Sequence, residues 1–138
     1  MKHRNAQEME IKNELWYLSG PITGYPNHNT EEFATQATFL RRRGYRILNP
    51  CALAHLPSWA ANLKRDIKRL MNCRGIFVLK GWQASKGAVL EIFLAMILNM
   101  PVLDAYTMKP VKVSTVKMFK AAFRSLIDPS KSYAKINA

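Results

Sequence analysis

Short apolar runs alternate with helical patterns along residues 15–104, and this alternation constrains the fold more than any other feature of the chain. The order, β-α-β-α-β-α-β, predicts an α/β domain with a mostly parallel sheet, right-handed crossovers and helices on both faces. Ligand sites of such sheets lie at the carboxyl ends of the strands. Asn29 or Thr30 can cap the first helix, and Ser58 can cap the second. The predicted strands span 15–18, 45–48, 75–79 and 101–104, and the predicted helices span 30–43, 58–72 and 88–98.

The length of 138 residues and the hydrophobic content of 49% indicate one globular domain. We expect an N-terminal extension over 1–14, the α/β domain over 15–104 and a basic extension over 105–138. No stretch reaches the roughly 18 uncharged apolar residues of a membrane span, so we expect a cytoplasmic protein without a membrane partner. The cysteines and histidines lack the spacing of metal ligands, and no metal or cofactor is predicted.

The net charge of +12 is concentrated towards the end of the chain, where residues 105–138 carry seven bases against one acid. Such a surface favours a nucleotide, a nucleic acid or an acidic protein, and charge alone does not distinguish these from a solvated basic face. The stretch 113–127 has the pattern of a basic amphipathic helix that either packs on the domain or binds a partner.

Glu91 is the one charged residue of the apolar third helix. Because burying an ionised carboxylate without partners costs several kcal/mol, such a group normally survives only where it is paired or used. Glu91 is therefore a candidate nucleophile. The alternative is that it sits on a narrow solvated face of a core helix.

The second helix places Asp66 within an apolar stripe, opposite a basic face that we expect to be solvated. Asp66 is thus predicted to point inward as a second candidate catalytic residue. The alternative is that it caps a loop amide or pairs with an arginine. The stripe contains Trp59, Leu63, Ile67 and Leu70, and the basic face contains Lys64, Arg65, Lys68 and Arg69.

Two loops that follow strands are candidate binding loops. The first has glycines that allow close approach to a ligand, although it lacks the spacing of the Rossmann fingerprint and of the P-loop. The second precedes the Glu91 helix, whose amino end favours a phosphate. In it, Trp82 either stacks on a base or covers the edge of the core. The first loop consists of Ser19, Gly20, Pro21, Ile22, Thr23 and Gly24, and the second contains Trp82, Ser85, Lys86 and Gly87.

Three segments, 17–24, 66–70 and 81–91, together resemble the nucleoside 2-deoxyribosyltransferase-like superfamily, which includes deoxynucleoside 5′-monophosphate N-hydrolases. The likeness is greatest to a small, uncharacterised branch common in bacteriophages, and it covers residues 15–104. It implies a flavodoxin-like sheet, with Glu91 as nucleophile and Asp66 orienting the sugar or the leaving base. It also implies that Ser85 contacts the 5′-phosphate and that the turn from Tyr17 to Thr23 forms a wall of the same pocket.

The chain departs from this superfamily at two positions. Relatives usually carry an acid after the cysteine that precedes the third strand, whereas this chain has Arg74. A guanidinium there would either keep Glu91 ionised and bind phosphate, or hold it in a salt bridge. The classical transferases have an aspartate six residues before the nucleophile, where this chain has Ser85. The second departure favours a phosphorylated substrate.

The resemblance and the residues lead to one expected function and to alternatives. We expect cleavage or transfer at the N-glycosidic bond of a 2′-deoxynucleoside 5′-monophosphate, without a cofactor, in a homodimer or higher homo-oligomer packed through the apolar third helix. The alternatives are an inactive member of the fold that binds nucleic acid or a host protein in the manner of a phage inhibitor, and a binder of a nucleotide signal. If the chain is encoded by a phage, the cytoplasm is that of the host.

Overall fold

The computed structural model describes residues 14–112 together with 114, 117, 118, 120, 123 and 124. Its helices and strands follow the predicted order, with bounds that differ from the predicted ones by one or two residues. Three short 3₁₀ turns lie in the loops, at Pro26–Asn29, Pro50–Ala52 and Trp82–Ala84. The strands are β1 (Leu15–Ser19), β2 (Arg46–Leu48), β3 (Gly75–Val78) and β4 (Val102–Asp104), and the helices are α1 (Thr30–Arg42), α2 (Trp59–Leu70) and α3 (Lys86–Ile97).

The four strands form one sheet in the order β2-β1-β3-β4, and all neighbouring strands are parallel. This is the order of a flavodoxin-like sheet, so the predicted α/β class is confirmed. The chain moves outward from β1 to β2 and then crosses back to β3, which makes the gap between β1 and β3 the point where the strand order reverses. Ligands of open α/β sheets bind at that point, beyond the carboxyl ends of the strands.

Alternate residues of β1 point to opposite faces of the sheet. Trp16 and Leu18 belong to a buried cluster that includes residues of α1. Tyr17 belongs to a second cluster, on the other face, that includes residues of α2 and α3. Ser19, two residues beyond Tyr17, shares the face on which α3 packs. The period of two therefore places both hydroxyl side chains of β1 towards the Glu91 helix.

Serine hydroxyls begin the two helices on this face. Ser58 Oγ accepts a hydrogen bond from the Ala61 amide at 3.0 Å, as predicted, and Ser85 Oγ accepts one from the Ala88 amide at 3.2 Å. Each bond satisfies one of the amides that the first turn of a helix leaves without a partner. Both caps lie on the carboxyl side of the sheet, so the amino ends of α2 and α3 border the same region.

The chain turns back after β4, where Leu103 and Pro110 form an antiparallel bridge and the Val111 amide bonds to the Val102 carbonyl at 2.9 Å. Most of the predicted basic helix at 113–127 lies outside the described residues, as do residues 1–13 of the N-terminal extension. Met118, which is described, is buried in the same cluster as Tyr17.

The far end of α3 leaves Ile97 57% exposed and the adjoining Leu98 53% exposed. A homo-oligomer packed through this helix stays a prediction. Among the described residues, none of the helices has the length and apolar character needed to cross a membrane.

Candidate active site

A cleft of about 730 Å³ opens beyond the carboxyl ends of β1 and β3. Its walls come from the turn at 20–25, the loop at 50–58, one side of α2 and the first turns of α3. Glu91 and Asp66 both line it, so the structure brings the two candidate acids from separate helices to one cavity. The cleft lies where the topology of the sheet predicts a ligand site.

Glu91 is 6% exposed, and both of its carboxylate oxygens accept hydrogen bonds from β1. The Tyr17 hydroxyl donates to Oε2, and Ser19 Oγ donates to Oε1 at 2.9 Å. The two donors stand on one face of the strand because they are two residues apart. The carboxylate is thus fixed in orientation at the floor of the cleft, and the alternative of a solvated helix face does not describe it.

Burial raises the pKa of Glu91 from 4.5 to about 7, because the ionised form loses its hydration. The hydrogen bonds from Tyr17 and Ser19 oppose this rise, whereas the nearby Asp66 carboxylate adds to it. Burial, and then the proximity of Glu91, raises the pKa of the Tyr17 phenol well above its ordinary value, so Tyr17 remains a hydrogen-bond donor at neutral pH. Glu91 changes its ionisation near neutrality, where a carboxylate is useful for catalysis.

Asp66 is 7% exposed and faces the cleft from α2. Arg65 Nε donates to its Oδ1 at 3.1 Å, so the predicted alternative of an arginine pair is present alongside the predicted inward orientation. Burial raises the pKa of Asp66, and the hydrogen bond and charge of Arg65, with the charge of Arg69, oppose the rise. A second carboxyl group whose ionisation depends on its neighbours therefore stands near Glu91.

The amino end of α3 supplies Ser85, Lys86 and Gly87 to the cleft wall, as predicted. Ser85 caps the helix through its hydroxyl, and the Lys86 ammonium lies 4.5 Å from the centre of the Trp59 ring. The first turn of a helix carries unpaired amides and the positive end of the helix dipole, both of which attract anions. The wall can hold a phosphate group.

The turn after β1 brings Gly20, Pro21, Ile22, Thr23 and Gly24 to the opposite wall. A side chain at Gly20 would place its Cβ 2.7 Å from Leu79 Cβ, so glycine is required for the turn to cross the end of β3. Asn29 stands at the start of α1 without capping it, and its Nδ2 donates instead to the Pro21 carbonyl at 2.9 Å. The predicted cap residue thus holds the turn at 20–24 instead of the helix end.

Four predicted binding residues lie outside the cleft lining. Two of them, Tyr17 and Ser19, bond to the Glu91 carboxylate that lines it. The other two are Trp82 and Arg74. Trp82 is 7% exposed and packs in the cluster that contains Tyr17. Of its two predicted roles, stacking on a base and covering the core, the structure shows the second. Arg74 precedes β3, at the opposite edge of the sheet from the cleft, and its Nε lies 3.9 Å from Glu14 Oε2. The structure therefore does not bring the Arg74 guanidinium to Glu91.

Several cleft residues were not predicted from the sequence. Arg65, assigned to a solvated face, and Trp59, assigned to an apolar stripe, both line the cleft. His28 and His55 also line it, with stacked rings whose centres are 5.1 Å apart. The order of the strands could have pointed to these four residues. They lie in loops that follow β1 and β2 or in the first turns of α2, and such segments border the carboxyl ends of the strands, where ligands bind. Within the part of the chain that the structure describes, no three metal-ligating side chains come together.

Comparison with known proteins identifies the family of the core domain. The family described as Domain of unknown function (DUF4406) matches residues 14–104, which include the whole sheet and both acids of the cleft. None of the curated proteins matches the chain.

Proposed function

This chain belongs to the DUF4406 family, a domain of unknown function, and we propose that it cleaves or exchanges the N-glycosidic bond of a 2′-deoxynucleoside 5′-monophosphate. The observation that carries the proposal is the Glu91 carboxylate, buried at the floor of the cleft and held by Tyr17 and Ser19. The likeness of segments 17–24, 66–70 and 81–91 to the nucleoside 2-deoxyribosyltransferase-like superfamily supports the same reaction.

In the proposed first step, one oxygen of ionised Glu91 attacks C1′ of the deoxyribose. The C1′–N bond breaks, its electron pair leaves with the base, and an ester joins Glu91 to the sugar. The transition state resembles an oxocarbenium ion, which a nearby carboxylate stabilises. Water then attacks C1′, the ester bond to Glu91 breaks and the carboxylate is restored, and 2-deoxyribose 5-phosphate is released. The proton that water loses passes to the departed base, either directly or by way of Asp66, which has protonated the base. A second base in place of water gives transfer instead of hydrolysis.

Tyr17 and Ser19 orient the nucleophile in this scheme. Their hydrogen bonds favour the ionised form of Glu91, whereas burial disfavours it, and the pKa of about 7 results from this balance. A carboxylate with a pKa in this range is both reactive and sufficiently ionised at neutral pH. In the proposal, Asp66, which lines the same cleft, orients the sugar or, when protonated, donates a proton to the departing base.

The 5′-phosphate is proposed to bind at the amino end of α3. Ser85, Lys86 and Gly87 line the cleft there, and the Lys86 ammonium provides a positive charge beside the helix terminus. Trp59, next to Lys86, presents an aromatic ring that is 43% exposed. The proposed polarity of the substrate has the 5′-phosphate between the amino end of α3 and the turn at 20–24, and the base towards the loop at 50–58.

The proposal is tested by incubating the purified protein with each of the four deoxynucleoside monophosphates and separating free base by chromatography. We expect base release from at least one of them. Absence of release from all four at high enzyme concentration would overturn the glycosidase proposal. In that case, salt-sensitive binding of the protein to DNA would favour a nucleic-acid-binding function for this strongly basic chain.

A further inference from the structure

Arg65 makes three hydrogen bonds that join separate parts of the cleft wall. Its Nε donates to Asp66 Oδ1 at 3.1 Å, its Nη1 donates to the Ala54 carbonyl, and its Nη2 donates to Asn62 Oδ1 at 3.4 Å. The Arg65 side chain is 21% exposed, less than the exposed basic residues of the same helix. A planar guanidinium suits such divided contacts, because its donors point in fixed directions.

Asn62 extends the same network to the loop that precedes α2. Its Oδ1 accepts from the Leu56 amide at 2.9 Å, and its Nδ2 donates to the Leu56 carbonyl at 3.0 Å and to the Ser58 carbonyl at 2.8 Å. Both backbone polar groups of Leu56 are thus satisfied by one side chain. This loop contributes Leu53, His55 and Pro57 to the cleft wall.

The contacts of Asp66 leave one carboxylate oxygen for a ligand. Among the residues that the structure describes, Asp66 Oδ1 accepts the bond from Arg65, and no hydrogen bond is made to Oδ2. The charged groups around Asp66 are Arg65 and Arg69 on its own helix and Glu91 on α3. Arg65 is the one that contacts it directly and also reaches the wall loop.

We propose that Arg65 is a positioning residue for the reaction, which fixes the Asp66 carboxylate and the wall loop at 53–58 as one unit. The effect of Arg65 on turnover rests on the proposed function, whereas its effect on the Asp66 carboxylate rests on the geometry alone. Arg65 does not touch the reacting atoms in this scheme. It acts by holding Asp66 Oδ2 and the loop in the arrangement that the substrate meets.

The test compares Arg65→Met with Arg65→Lys and with Lys64→Met as a matched control. Lys64 is an exposed base on the same helix outside the cleft lining, so its replacement makes the same change of charge. The chain contains three aspartates, and carboxyl ¹³C labelling of aspartate resolves Asp66 once Asp66→Asn identifies its signal. We expect Asp66 to titrate at higher pH in Arg65→Met and to be unchanged in Lys64→Met.

Two further measurements separate positioning from a structural role. The Leu56 amide should exchange its hydrogen faster in Arg65→Met, because the loop loses a tether. In base release, kcat should fall roughly tenfold to a hundredfold with little change in KM, as expected for a lost charge-assisted hydrogen bond, and Arg65→Lys should recover part of it. If Arg65→Met does not fold, Arg65→Lys is compared with wild type, and its Leu56 amide should exchange faster because an ammonium does not reproduce the three directed bonds of the guanidinium.

The outcomes distinguish the two proposals. A wild-type protein that releases no base overturns the proposed function, while the Asp66 titration and Leu56 exchange still decide whether Arg65 positions these groups. An unchanged titration of Asp66 together with unchanged exchange at Leu56 overturns the positioning role. So does a loss of activity in Lys64→Met equal to that in Arg65→Met.

Discussion

The Tyr17 hydroxyl donates a hydrogen bond to Oε2 of Glu91, although the two residues are 74 positions apart in the chain. The contact follows from two simple periodicities. Tyr17 occupies the face of β1 that meets α3, and Glu91 lies where that helix passes the end of the strand. A buried phenol thereby holds the buried carboxylate that lines the cleft.

Two variants should move the pKa of Glu91 in opposite directions. Tyr17→Phe removes a hydrogen bond that favours the ionised form, so the pKa of Glu91 should rise further above about 7. Asp66→Asn removes a negative charge that disfavours it, so the pKa should fall. Carboxyl ¹³C labelling of the six glutamates, with the Glu91 signal identified by Glu91→Gln, measures both. Shifts in the same direction would contradict this description of the site.

The stability of the protein should depend on pH through Glu91. Between about 4.5 and about 7, the folded state keeps a proton on Glu91 that the unfolded chain releases, so the free energy of unfolding falls as pH rises. Glu91→Gln carries no charge to bury and lacks this dependence. In urea unfolding, the free energy of unfolding of the variant relative to that of wild type should increase by roughly 3 kcal/mol between about pH 4 and about pH 8. A difference that is constant with pH would show that Glu91 titrates normally.

Base release should require Glu91 in its ionised form. We therefore expect kcat/KM to rise with pH through about 7 and to decrease below it, following the raised pKa of this carboxyl group. In Ser19→Ala, which lacks the hydrogen bond to Oε1, this limb of the profile should move to higher pH. A profile that stays flat down to about pH 5 would assign the nucleophile to another group.

Lys86→Met should weaken the binding of phosphorylated substrates selectively. The ammonium lies at the amino end of α3, where the phosphate is proposed to bind. We expect KM for a deoxynucleoside monophosphate to rise roughly tenfold, with a smaller change for the matching nucleoside. Lys80→Met is the control, because Lys80 is exposed and outside the cleft lining. Equal losses for nucleotide and nucleoside would argue against a phosphate site there.

The fold and both acids of the cleft followed from local patterns in the sequence. The alternation of apolar runs with helical patterns predicted a mostly parallel sheet. The isolated charges of Asp66 and Glu91 on apolar helix faces predicted that both carboxylates are buried. These signals depend on single elements, so they need no knowledge of how the elements pack.

Residues whose role depends on packing between elements were harder to predict. Arg65 lies on the charged side of α2 by helical periodicity, and its bonds to a loop eleven residues earlier in the chain have no local signal. Trp82 looked available for a base, but the turn at Trp82–Ala84 folds it into the core. Arg74 occupies the position after Cys73 where relatives usually carry an acid, and it was therefore expected near Glu91. It lies at the amino end of β3, away from the cleft.

The most direct measurement of the central claim is the rate of base release by the wild-type protein, Glu91→Gln and Glu31→Gln on the best deoxynucleoside monophosphate. Glu31 is an exposed glutamate of α1, so its variant makes the same chemical change away from the cleft. We expect Glu91→Gln to lose at least about a thousandfold in kcat and Glu31→Gln to match wild type. Comparable base release by the wild type and Glu91→Gln would show that Glu91 is not the nucleophile.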